Sequence, residues 1–153
     1  MSSATNHGPG RVLVAIYGVF AISATARSAV QLVTDFEEAP VAYSLSALAA
    51  VVYVVATLAL ASGTPTARRT AWVTVALELC GVLAVGTLSI VDPALFPDET
   101  VWSGYGSGYG YAPLVLPVLG LIWLWRTRPS SVGTGSGSAA SDRHGGGAPT
   151  NHA

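Results

Sequence analysis

The sequence predicts an all-α polytopic membrane protein, a bundle of four transmembrane helices with a disordered tail at each end. Three observations predict this class: 51% of the residues are hydrophobic, only 10% are charged, and the apolar residues form four long runs. An ordinary soluble domain carries about 25% charged residues. With 153 residues, the chain has room for a single domain.

A helix needs about 20 mostly apolar residues to cross the hydrocarbon of a membrane. The predicted spans are residues 12–33, 41–61, 70–91 and 112–127. A soluble bundle would show a charged stripe opposite each apolar stripe, yet the second run carries no charge. We therefore expect a membrane domain over residues 11–128. The flanking residues 1–10 and 129–153 are predicted to be disordered, the second segment because it is rich in glycine and serine.

The first span begins after Arg11 and contains one charge, Arg27. A cleaved secretory signal is the alternative interpretation, because "SATARSA" offers an Ala-x-Ala site that ends at Ala26. Apolar residues resume after Arg27, with Val30 and Val33 among them. This continuation favours one uninterrupted transmembrane helix.

Prolines predict the limits of the last two spans. Asp92 and Pro93 end the third span, because proline cannot continue a helix and restricts the residue before it. Pro113 suits the first turn of the fourth span, where its missing N–H costs nothing. That span, "APLVLPVLGLIWLW", is short unless it extends to Thr127.

The distribution of charge predicts the orientation in the membrane. Arginines flank three of the predicted segment boundaries, and the two remaining loops are acidic. The arginines are Arg11, Arg68, Arg69, Arg126 and Arg128, and the acidic loop residues are Asp35, Glu37, Glu38, Asp92, Asp98 and Glu99. Because arginine near the ends of spans marks the cytoplasmic side, both termini are predicted to be cytoplasmic in a multi-pass plasma-membrane protein.

Two charged residues, Arg27 and Glu78, fall inside the predicted spans. A charge at the centre of a span costs about 2.5 to 3.5 kcal/mol, and each Leu, Ile, Val or Phe returns about 0.3 to 0.6 kcal/mol. The third span therefore tolerates one glutamate, provided that it faces protein. Counting along the helices places the two residues roughly 10 Å apart in depth, which leaves direct contact, a water bridge and separation open.

This polar pair has two interpretations. It is a clamp that fixes the packing of the first and third helices, or it lines a polar path through the membrane. Ser23, Gln31 and Thr74 are the predicted polar neighbours of Arg27 and Glu78 on either interpretation.

The stretch "WSGYGSGYGY", residues 102–111, alternates aromatic residues with glycine. Tryptophan and tyrosine favour the headgroup level of a membrane, where a ring is half wet and half apolar. An interfacial anchor is the favoured interpretation, and an outer recess for a lipid or sugar-like ligand is the alternative. The predicted anchors on the two sides of the membrane are Trp102, Tyr105, Tyr109, Tyr111, Trp123 and Trp125.

Three pieces of the chain, "ATARSAVQL", "LELCGVLAVGTLS" and "VDPALFPDETVWSGYGSGYGYAPLVLPVLGLIWL", resemble an uncharacterised family of small integral membrane proteins of actinobacteria. The likeness covers roughly residues 11 to 126. It implies four spans and an actinobacterial plasma membrane, and it implies no particular activity.

Several classes of function are disfavoured by the residues. The net charge of −1 lacks the basic excess that a nucleic-acid partner needs. Cys80, the only cysteine, permits no internal disulfide and is predicted to be a small core residue. The predicted bundle contains no histidine and no Ser-His-Asp set, so we expect no enzymatic activity, no cofactor and no metal.

The sequence therefore favours a non-enzymatic accessory or scaffolding membrane subunit. Its expected partners are the lipid bilayer and either other membrane proteins or further copies of itself. The alternative function is a small oligomeric transporter or channel, with Arg27 and Glu78 forming an intramembrane polar site.

Overall fold

The structure, a computed structural model, describes residues 8–129. Its four α-helices are α1 (Pro9–Thr34), α2 (Pro40–Ala61), α3 (Pro65–Val91) and α4 (Ala112–Arg126). Two 3-10 segments, Pro93–Leu95 and Ser103–Tyr109, lie between α3 and α4. Residues 8–129 contain no β-strand, so the all-α prediction is confirmed. The predicted tails lie outside the described residues, except for residues 8–10 and 129.

Proline begins every helix, as expected for a residue whose missing N–H is not needed in the first turn. The prolines at the first or second helical position are Pro9, Pro40, Pro65 and Pro113. Helix α3 has an additional cap, because the Thr64 hydroxyl accepts a hydrogen bond from the Ala67 amide at 3.2 Å. It ends at Val91, directly before Asp92 and Pro93, where the sequence predicted its end.

Helices α1, α2 and α3 are each long and apolar enough to cross a membrane. Helix α4 has 15 residues and is about 22 Å long, less than the roughly 30 Å of a hydrocarbon core. It becomes a candidate span only together with Ser103–Tyr109, from which it is bent by 100°. The described residues thus contain three helices that could span a membrane, or four such elements if this bent pair counts as one.

The helices pack along regular buried seams, with a repeat near the 3.5 residues of paired helices. On α2 the seam is Ala42, Ser46, Ala49, Tyr53, Ala56 and Leu60. On α3 it is Ala71, Val75, Glu78, Val82 and Val85. Alanines at such contacts let helix backbones approach closely. A glutamate therefore occupies a position of the α3 seam that is otherwise apolar.

The α3–α4 loop, residues 92–111, folds back into the bundle. The Trp102 ring lies against Gly81, where an added Cβ would lie 2.7 Å from the ring. Gly81 precedes the end of α3 by ten residues, which corresponds to about 15 Å of helix. Tyr105 lies nearer the end of α3, against Gly86. The loop thus lies against α3 at a point about 15 Å from the end of that helix, a distance equal to about half the roughly 30 Å of a hydrocarbon core.

Glycine permits the backbone of this loop to turn. Gly104, Tyr105 and Gly106 all have left-handed backbone angles, with φ of 54°, 59° and 80°. Glycine adopts this conformation without a steric penalty, whereas a tyrosine there is strained. The glycines of this stretch therefore permit a tight left-handed turn, and the aromatic residues between them provide rings that pack on the bundle.

Side-chain hydroxyls satisfy the loop backbone as it enters the bundle. The Thr100 hydroxyl accepts hydrogen bonds from the amides of Trp102 and Ser103, both at 3.0 Å. The Gly104 amide donates to the Ser89 hydroxyl of α3 at 2.9 Å. Irregular backbone is tolerated at membrane depth only where it is buried in protein and hydrogen-bonded. Residues 100–106 of the loop are buried or half-buried and carry these hydrogen bonds.

Candidate functional site

Glu78 of α3 is the centre of a buried polar cluster. Its side chain is 0% exposed, and its Oε2 accepts a hydrogen bond from the Tyr17 hydroxyl of α1 at 2.8 Å. Both residues lie at buried positions of their helices. This hydrogen bond is a direct polar connection between α1 and α3 within the apolar core.

Tyr53 of α2 and Trp102 of the α3–α4 loop complete the cluster. The Tyr53 ring centroid lies 6.2 Å from that of Tyr17. Its hydroxyl lies close to both the Glu78 carboxyl and the Trp102 indole. Within residues 8–129, however, the Tyr53 hydroxyl, Oε1 of Glu78 and Nε1 of Trp102 have no hydrogen-bond partner. Three buried polar atoms are therefore neighbours without being paired.

Their chemistry is complementary. The indole N–H is a donor, the phenol hydroxyl both donates and accepts, and the carboxyl oxygen accepts. In hydrogen-bonding capacity, the Tyr53 hydroxyl can accept from the Trp102 indole and donate to the Glu78 carboxyl. Each of these buried groups that stays unpaired costs about 1 to 3 kcal/mol.

Helix α4 closes the cluster through a glycine. A Cβ on Gly120 would lie 3.4 Å from the Tyr17 hydroxyl and 3.1 Å from Val75. The absence of a side chain at this position lets α4 approach α1 and α3. Residues of α1, α2 and the loop therefore lie around Glu78 of α3, and α4 packs against the Tyr17 hydroxyl that bonds to it.

Arg27 lies in a separate polar contact. Its guanidinium donates to the Tyr109 hydroxyl and to the backbone carbonyl of Glu99 at 3.3 Å, and it lies 5.9 Å from the centre of the Tyr109 ring. Arg27 thus holds the loop against α1, whereas Glu78 bonds to Tyr17. Of the possibilities left open by the sequence, the structure shows separation, in keeping with the difference in depth along the helices.

The three predicted polar neighbours do not bond to Glu78. Ser23 is exposed, Gln31 donates to Oδ2 of Asp98 at 3.4 Å, and Thr74 donates to the Thr70 carbonyl of its own helix at 2.8 Å. Gln31 lies one turn beyond Arg27, and it likewise contacts the loop. Arg27 and Gln31 of α1 therefore attach the loop, whereas Tyr17 of the same helix bonds to Glu78.

The predicted aromatic anchors differ in exposure. Trp102 is 2% exposed and packs on Gly81, so the structure places it in the core and corrects its assignment as a surface anchor. Tyr105, Tyr109 and Trp123 are half-buried, and Tyr111 and Trp125 are exposed. An anchoring role for the exposed pair stays a prediction.

Cys80 is exposed, which corrects the prediction of a core residue. It lies midway between the seam residues Glu78 and Val82, and this spacing turns it to the opposite side of α3.

Tyr17 and Tyr53 belong to the cluster but were not predicted from the sequence. The signal was present in the spacing, because Tyr53 follows Ala49 and precedes Ala56 in the seam of α2. A tyrosine in a seam of alanines and a glutamate in a seam of valines mark facing positions. The sequence does not show which of these positions lie at the same depth, because that depends on how the helices are aligned along their axes.

Fold and cluster together define the class: a helical membrane protein whose apolar helices enclose a glutamate–tyrosine–tryptophan cluster. Comparison with known proteins adds no further assignment, because no family model, curated protein or solved structure matches the chain.

Proposed function

We propose that the chain is a non-enzymatic accessory or scaffolding subunit of the plasma membrane, with four membrane passages and both termini in the cytoplasm. The fourth passage consists of the re-entering loop together with α4. The observation that carries this proposal is that Arg27 and Glu78 both make hydrogen bonds within the fold. Glu78 bonds to Tyr17 and Arg27 bonds to Tyr109, so both charged residues connect elements of the fold.

The lipid-facing surface supports the same role. Large apolar side chains are exposed along α1 and α3, and such surfaces suit either lipid or the helices of another membrane protein. Examples are Val19, Ile22, Val73, Leu83 and Ile90. An accessory subunit needs a stable shape and such a surface.

A reporter fused after Trp125 tests the proposed orientation. An enzyme that is active only in the cytoplasm is expected to function there, because the arginine-rich end of the bundle favours that side. Activity of a reporter that works only on the external side would contradict both the orientation and the number of passages.

Isolation from the native membrane in a mild detergent tests the accessory role. We expect a partner membrane protein in a fixed ratio to this chain, retained through two purification steps. The partner should be lost when the exposed residues Val19, Ile22 and Val73 are changed together to larger residues, and retained after Glu37→Gln in the exposed α1–α2 loop. A chain isolated without any partner would contradict the role.

A small proton-coupled transporter is the second candidate, and the unpaired atoms around Glu78 favour it. Proteoliposomes loaded with a pH-sensitive dye separate the two functions. The accessory role predicts no proton flux above that of empty vesicles. Transport predicts a flux that is abolished in folded Glu78→Gln and retained in Glu37→Gln, which changes an exposed acidic residue in the same way.

A further inference from the structure

A cleft of ≈ 560 Å³ opens at the arginine-rich end of the bundle, between the α2–α3 connection, the start of α3 and the end of α4. The lining includes two buried leucines, Leu60 and Leu124. It also includes Trp72, Arg68 and Arg69. The lining is therefore amphipathic, since it combines apolar side chains with two cationic ones.

Arg68 is held in place by α4. It donates to the Thr127 hydroxyl at 3.2 Å and to the Leu124 carbonyl. These bonds use two of the five N–H donors of a guanidinium, so donors remain for a ligand. Trp72, which lines the cleft, has the guanidinium carbon of Arg128 5.5 Å from the centre of its ring.

The charge around the cleft is of one sign. None of the described residues that line it is acidic. The acidic residues of the described chain are Glu78, which is enclosed in the core, and the loop residues near the opposite end, Asp35, Glu37, Glu38, Asp92, Asp98 and Glu99. The charged side chains that line the cleft, Arg68 and Arg69, are therefore both positive and attract a negatively charged ligand.

We propose that this cleft binds the headgroup phosphate of an anionic phospholipid. Arg68 and Arg69 supply charge-assisted hydrogen bonds to the phosphate oxygens, and the apolar lining residues Leu60 and Leu124 contact the first part of the acyl chains. Basic pockets between transmembrane helices bind anionic headgroups in this manner. Trp72 and Trp123, which both line the cleft, suit the interfacial level at which a headgroup lies.

Native mass spectrometry of the full chain tests the site, with phosphatidylglycerol and phosphatidylcholine titrated as separate probes. The wild-type chain should bind phosphatidylglycerol more tightly than phosphatidylcholine. Arg69→Gln should weaken phosphatidylglycerol binding about fivefold, since one arginine near a lipid surface contributes about 1 kcal/mol. Arg11→Gln removes the same charge outside the residues that line the cleft and should leave the affinity unchanged.

Arg68→Gln is the second variant. It should weaken phosphatidylglycerol binding to a similar extent and also lower the melting temperature, because it removes the bonds to α4. Equal affinity of the wild type for the two lipids would overturn the proposal, as would equal losses in Arg69→Gln and Arg11→Gln. Displacement of phosphatidylglycerol by millimolar inorganic phosphate would overturn the choice of a lipid and indicate a soluble phosphate ligand.

Discussion

The re-entering loop packs tightly against α3 at Gly86, and substitution by alanine perturbs this contact directly. An added Cβ would lie 2.5 Å from Cδ1 of Tyr105 and 2.8 Å from its backbone nitrogen. Rotation of the tyrosine ring cannot relieve a contact with the backbone. Two hydrogen bonds also fix the loop to α3. One joins the Tyr105 and Thr87 hydroxyls, and the other runs from the Gly104 amide to the Ser89 hydroxyl. Gly86→Ala must therefore displace the loop.

The magnitude follows from a matched comparison with Gly18→Ala. Both glycines lie inside helices, so alanine gains the same helix propensity of about 1 kcal/mol at each. A Cβ on Gly18 meets only Cγ2 of Thr57, at the ordinary distance of 3.7 Å. The difference between the two variants is thus the cost of overpacking, about 1 to 3 kcal/mol.

Equilibrium unfolding in mixed micelles, with SDS as denaturant and helicity as readout, measures this difference. We expect Gly18→Ala to be as stable as the wild type or more stable, and Gly86→Ala to be less stable than Gly18→Ala by about 1 to 3 kcal/mol. Equal stability of the two variants would refute the docking of the loop on α3.

Three further predictions concern the contacts described above. A double-mutant cycle of Tyr17→Phe and Glu78→Met should give a coupling energy of about 0.6 to 1.7 kcal/mol in the same unfolding assay, and additive effects would mean that the hydrogen bond is absent. Tyr109→Phe should destabilise the wild type by about 1 kcal/mol but leave an Arg27→Met background unchanged; an equal loss in both backgrounds would contradict that contact. Cys80→Leu should change stability by less than about 0.5 kcal/mol because the side chain is exposed, whereas a core position would lose about 1 to 3 kcal/mol.

The positions of the helices could be predicted because the signals are local. Apolar runs identify α1, α2 and α3, and Pro93 and Pro113 identify where α3 ends and where α4 begins. The fourth passage was less predictable. The length of its apolar run was visible, but the re-entry of "WSGYGSGYGY" depends on Gly81 and Gly86, which precede it by about twenty residues.

The candidate site could be predicted only in part, because residue type is a local signal whereas contacts between helices are not. Glu78 was identified from its cost in a membrane, which depends on residue type alone. Its partner Tyr17 was missed, because pairing requires the relative depth of two helices, and a count of residues fixes that depth only to within a few ångströms. Trp102 was misplaced because an aromatic residue in a loop is ordinarily interfacial, and only contact with α3 shows that this ring is buried.

The cluster around Glu78 depends on the re-entry of the α3–α4 loop, which places Trp102 in the bundle. Fluorescence of a chain that retains only this tryptophan, with Trp72→Phe, Trp123→Phe and Trp125→Phe, measures its surroundings most directly; a chain retaining only Trp125, which is 63% exposed, is the reference. We predict that emission from Trp102 is blue-shifted and resists quenching by acrylamide and by brominated lipid. Strong quenching of Trp102 by either agent would place its ring in water or lipid and contradict the re-entrant loop.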